Sequence, residues 1–142
     1  MRVAAAVFLA VSMVGLSRST ASAQKATTQW DGIYTEIQAK RGEVLYGSVC
    51  AACHNLDLTG TELAPALSQA ALSKAWNNRS VGALLEYMQR QMPLNSPNGL
   101  SRQQNADILA FILLKADVPR GHTELPTEAG TLNQIKFVAA RP

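Results

Sequence analysis

Cys50-Ala51-Ala52-Cys53-His54 constrains this chain more than any other stretch. Two thiols separated by two small residues, with an imidazole directly after the second, fit three chemistries. A dithiol redox site of the thioredoxin type needs a strand before the motif and a helix starting at the first cysteine, whereas here a helical pattern runs up to it. A structural zinc site needs four protein ligands. Beyond these three residues the only other cysteine or histidine is His122, in a loop beside Gly121. Spacing alone leaves that pairing open, but adjacent Cys53 and His54 make a poor chelate. Covalent haem attachment uses all three residues in order, each sulfur adding to a vinyl group and the imidazole binding iron. The motif therefore points to haem c held through Cys50 and Cys53, with His54 as a metal ligand.

The N-terminus agrees with that chemistry. Arg2, the apolar run Ala4 to Leu16 and the small residues Ala21-Ser22-Ala23 read as a secretory signal peptide cleaved after Ala23. The alternative, a retained anchor, has a run short of the ~20 residues needed to span a bilayer. Removing residues 1–23 from 142 leaves 119, enough for one core. Cleavage also takes Arg2 and Arg18 from the 13 basic residues, leaving 11 against 10 acidic ones. The mature protein is nearly balanced in charge, which speaks against a nucleic-acid partner. With only two cysteines, too close together to close a useful loop, a disulfide framework is excluded.

Periodicity predicts an all-α chain of three to four short helices wrapped around one haem. Residues 24–34 read as a flexible leader with an exposed Trp30. Thr35 to about Cys50 is an amphipathic helix whose stripe is Ile37, Val44, Leu45, Tyr46 and Val49, delivering the motif at its C-terminal end. Gly42 in its middle costs roughly 1 kcal/mol relative to alanine and suggests a close helix crossing. Residues 55–71 form a loop, and a short helical turn falls within 68–76. Ser80 caps a helix over Val81 to about Gln91 that ends before Pro93. Ser101 and Gln104 have capping-box spacing for a helix reaching about Ala116. That last helix is apolar nearly all round, so every side must be covered; the tail carrying Leu125, Leu132, Ile135, Phe137 and Val138 is the expected cover for one face.

Two methionines remain after cleavage as candidates for a sixth iron ligand. A thioether suits electron transfer because it stabilises ferrous iron. Met88 falls on the apolar stripe with Leu84 and Leu85 and reads as core, while Met92 lies where the helix gives way before Pro93, free to turn toward the metal. Trp76, Asn77 and Arg79 join the two ligand-bearing segments and are candidates for the haem propionates, with a solvated loop the competing reading for Arg79 and burial for Trp76.

Residues 35–118 resemble the small monohaem c-type cytochromes. The likeness rests on Arg41-Gly42 and Leu45-Tyr46 before the haem motif, Ala64-Pro65-Ala66-Leu67 after it, Met92-Pro93, and Leu100-Ser101 opening Asn105 to Ile112. Met92-Pro93 with Pro97, Leu100-Ser101 and Glu124-Leu125-Pro126 is similar to cytochrome domains that accompany quinoprotein dehydrogenases. The resemblance implies that Met92 ligates iron, that the carbonyl of Pro65 orients His54, that Leu67 and Ile112 pack on the porphyrin, and that Gly42 and Tyr46 cross Ile108 and Phe111. A loop stiffener is the competing role for Pro65.

A haem with both axial positions filled by protein leaves no site for substrate on iron. The expectation is a non-enzymatic, periplasmic one-electron carrier with a dehydrogenase donor and a terminal acceptor as redox partners, and no membrane span after cleavage. A dedicated cytochrome subunit of a periplasmic dehydrogenase keeps the same chemistry, with the apolar tail Leu125 to Val138 as the docking element, whereas in the single-carrier reading residues 119–142 form an extension packing on the cytochrome domain of residues 35–118. A peroxidase or gas sensor would need an open sixth position.

Overall fold

The computed structural model describes residues 27–142, so the signal-peptide reading of residues 1–23 lies outside the described residues. The described chain is all-α. In order come α1 (Glu36–Val49), α2 (Ala51–His54), α3 (Gln69–Trp76), α4 (Val81–Gln91), α5 (Arg102–Lys115) and α6 (Ala129–Leu132). Thr35, Ser68, Ser80 and Ser101 cap α1, α3, α4 and α5, each side-chain oxygen accepting a backbone N–H in the first turn. Ser101 and Gln104 complete a reciprocal capping box, which fixes where α5 begins.

The fold is organised on the crossing of α1 and α5. A Cβ built on Gly42 would overlap the carbonyl of Asp107 and lie 3.0 Å from the amide nitrogen of Ile108. The two backbones therefore touch, and glycine is what permits it. One turn on, the rings of Tyr46 and Phe111 pack with centroids 5.1 Å apart. This contact rotates α1 relative to the expected stripe: its buried face is Gln38, Ala39, Gly42 and Tyr46, while Ile37 and Val44 are 69 % and 74 % exposed. Closest approach is set by small residues, so the glycine face wins over the larger aliphatic one.

Two further expectations change. The segment expected as a flexible leader is built into the structure from Thr28 onward. Gln29 is fully buried and exchanges hydrogen bonds with the backbone of Val138, its Nε2 donating to the carbonyl at 2.6 Å and its Oε1 accepting from the amide at 2.9 Å. Trp30 is half-buried and also donates to that carbonyl, and Ile33 and Tyr34 enter the core. A buried amide that satisfies both backbone groups of one residue holds the two ends of the described chain together where a polar sequence suggested solvent.

The C-terminal extension, expected as a cover for α5, also packs on α4 through α6, while the carbonyl of Thr127 accepts from the Arg102 side chain of α5. The amide of Val81 donates to Ile135 and the amide of Phe137 to Arg79. Leu125, Leu132, Ile135 and Phe137 are buried. Because the Gly42 crossing lets α1 lie against α5, α1 and α4 already enclose much of it. Residues 106 to 113 of α5 are all buried.

Candidate haem site

Helix α1 ends at Cys50, and the motif forms the single turn α2 directly after it. Cys50 is half-buried and Cys53 exposed, and both are free thiols. Burial pushes the Cys50 thiol up to about 11, with Cys53 adding to the shift. Such a thiol stays protonated near neutrality, the opposite of the acidic cysteine that begins a dithiol exchange site.

His54 is buried, with Nδ1 2.8 Å from the carbonyl oxygen of Pro65. A carbonyl only accepts, so Nδ1 carries the proton and Nε2 presents its lone pair. Nε2 has no hydrogen-bond partner among the described residues. The imidazole is thus held in one tautomer and one ring orientation with its basic nitrogen free, as a metal ligand requires.

Residues of the 55–71 loop, together with Tyr46 of α1, set this geometry. Three consecutive carbonyls, the last two of the motif and the one after it, are each claimed: Thr61 Oγ1 donates to Cys53, the Gly60 amide to His54, and Tyr46 Oη to Asn55, at 2.8, 3.0 and 2.8 Å. Asn55 Nδ2 donates to the carbonyl of Gly60 at 2.6 Å. Gly60 itself has a φ of +77°, and a Cβ there would lie 2.5 Å from Ala66 N and 2.6 Å from Pro65 C. It lets the 60–61 turn press against the Pro65 segment. Only the presence of glycine in a loop hinted at this.

Met92 ends α4 in an extended conformation and is half-buried, while Met88, one turn back, is buried in the core cluster with Leu84 and Leu85. Leu67 is partly buried against the core, and Ile112 is buried on α5. Trp76 is buried with the Arg79 guanidinium 4.1 Å above its ring and Tyr87 edge-on at 5.5 Å. Asn77 Oδ1 accepts from the amide of Ala139, so that oxygen serves the tail. His122 is exposed. The described residues contain no cluster of three or more histidine, cysteine or acidic side chains able to hold a metal ion by themselves.

The donor set fits a covalently bound haem: two unpaired thiols three residues apart at one short turn, an oriented imidazole with a free nitrogen, and the thioether of Met92 at the end of α4. Residues 37–112 match the family described as cytochrome C oxidase, cbb3-type, subunit III. The chain belongs to that family. It is a small c-type cytochrome, and its chemistry is haem-based electron transfer. A search of curated proteins found no match. Among solved structures, the sulfane dehydrogenase SoxCD from Paracoccus pantotrophus is similar, with a TM-score of 0.52 and 20 % identity over 87 % of this chain and 68 % of that one. At that identity the likeness speaks for the cytochrome fold alone.

Proposed function

We propose that the protein is an exported, periplasmic one-electron carrier, with haem joined through Cys50 and Cys53 and iron held by His54 and Met92. When bound, haem supplies a reversible Fe(II)/Fe(III) couple. The observation that carries this reading is the 2.8 Å bond from His54 Nδ1 to Pro65, which leaves Nε2 of that imidazole free to bind a metal beside two free thiols. The chain's own residues do the rest. Thr61, Gly60 and Tyr46 fix the carbonyls of Cys53, His54 and Asn55, so the imidazole keeps its orientation through a change of charge nearby. Met92, at a helix end and half-buried, can offer sulfur without giving up core packing, which Met88 cannot. Donor and acceptor are redox proteins docking transiently. Among the described residues no helix is long and apolar enough to cross a membrane.

A subunit of a periplasmic dehydrogenase is the second reading, suggested by the resemblance of Met92-Pro93, Pro97, Leu100-Ser101 and Glu124-Leu125-Pro126 to cytochrome domains that accompany quinoprotein dehydrogenases. Its docking element would not be the C-terminal extension, whose apolar residues are spent on this chain's own core. The test is to express the full chain with a c-type maturation system, then record oxidised and reduced spectra and a pyridine haemochrome. Two thioether links and a sulfur-to-iron absorption band are expected. A haemochrome with one or no thioether overturns the attachment. Rapid carbon monoxide binding to the ferrous protein overturns the closed sixth position and favours a sensor or peroxidase. N-terminal sequencing of periplasmic material should begin at Gln24; a start at Met1 overturns cleavage.

A further inference from the structure

Helix α4 gives way at Met92, and the chain then runs through Pro93 to Leu100 before α5 begins. Residues 94 to 99 are all exposed, so packing does not place this loop. Hydrogen bonds do, and they converge on one residue. Gln89, one turn before Met92, holds the loop's return with both of its polar ends. Its backbone carbonyl accepts from the amide of Asn98 at 3.0 Å, and its side-chain Nε2 donates to the carbonyl of Leu100 at 2.7 Å. Its Oε1 in turn accepts at 3.0 Å from Nδ2 of Asn105, a residue of α5 that is 1 % exposed. Asn105 also donates to the carbonyl of Ser101 at 3.1 Å.

We infer that Gln89 and Asn105 form an amide clamp that positions Met92, tying the end of α4 and the start of α5 together so that the intervening loop cannot carry the sulfur away from iron. This rests on Met92 as the sixth ligand. Both amides act through the loop and neither is a ligand itself. A clamp at partly buried amides is worth more than the same bonds in water, because breaking one leaves a desolvated partner unpaired.

The test is displacement of the sulfur by imidazole in the ferric holoprotein, followed through the sulfur-to-iron band. In Gln89→Met and in Asn105→Ser, loss of the clamp should raise the apparent affinity for imidazole roughly fivefold to tenfold, the equivalent of one net hydrogen bond. Gln38→Leu is the control. That buried amide makes two hydrogen bonds with the backbone of Leu125, far in sequence from Met92, so its loss should lower the melting temperature and leave imidazole affinity within about twofold. If both clamp variants stay within twofold of wild type, or if Gln38→Leu raises the affinity as much as they do, the clamp is overturned while the ligand assignment stands. A wild-type protein with no sulfur-to-iron band overturns the assignment of Met92 and the clamp with it. Should Asn105→Ser not fold, Gln89→Met alone decides, since Gln89 is only half-buried.

Discussion

Gly42 of α1 stands against the carbonyl of Asp107 on α5 with no room for a methyl group between them. Alanine on an isolated helix stabilises by about 1 kcal/mol over glycine. Here the sign reverses, because the added Cβ forces the helices apart along their whole contact. Gly42→Ala should cost about 3 kcal/mol in denaturant titration. A neutral or stabilising effect would show that the crossing is looser than described.

Gly60 makes the same argument in a loop. Its left-handed φ and its approach to Ala66 and Pro65 both oppose a side chain. Gly60→Ala should lose on the order of 2 kcal/mol by chemical denaturation. Gly130→Ala is the contrast: its Cβ would meet nothing within 4 Å in α6, and it should be neutral or gain up to about 1 kcal/mol. Equal effects at the two positions would refute the crowding at Pro65.

Arg41 ties three parts of the chain. Its guanidinium grips Asp107 of α5 at 2.9 and 3.0 Å and Glu124 of the extension at 2.8 Å twice. Burial raises the Asp107 carboxyl, but hydrogen bonds from Arg41 and Gln103 outweigh it and hold it below its ordinary value; the Arg41 bond does the same for Glu124. A carboxylate depressed in the folded state adds stability that is fully present above its unfolded pKa, about 4, and is lost as pH falls through the folded value. Arg41→Leu should therefore cost about 1–2 kcal/mol at pH 7, discounted for the half-exposed guanidinium. The gap to wild type should narrow as pH drops below about 4. A gap unchanged at acid pH would assign the loss to packing instead.

Phe137 lies in the core. Its amide donates to Arg79 and its carbonyl accepts from Asn78, so the extension is hydrogen-bonded to the link before α4. Phe137→Ala should lower stability by about 3–4 kcal/mol and the melting temperature with it. An unchanged melting temperature would mean that the extension does not pack in solution.

The two methionines separate by spectroscopy. In the holoprotein Met92→Ala should abolish the sulfur-to-iron band while leaving most of the stability of the fold. Met88→Ala should keep the band and lose about 2–4 kcal/mol as a core truncation. The reverse pattern exchanges the ligands.

What the linear chain determined by itself is what depends on neighbours a few residues away. Caps at Thr35, Ser68, Ser80 and Ser101 and the breaks at Asn77-Asn78 and Pro93 mark out the longer helices, because each cap bonds an amide two or three positions on. The haem motif is local in the same sense: three donors in five residues, with a helical pattern running up to them, point to haem before the fold is known. Tertiary structure decided everything that hangs on approach between distant segments. Ile37 and Val44 carried the helical period of α1, yet the face that turned inward was the one with Gly42, since backbone contact with Asp107 outweighs two aliphatic side chains left in water. Gln29 and Trp30 read as solvated polar leader until Val138, more than a hundred residues later, supplied their partner. The bond from Pro65 to His54 spans eleven residues and depends on Gly60 folding the loop back on itself. The family resemblance implied this bond, but no period or spacing encodes it, because its energy appears only when both ends have already been placed.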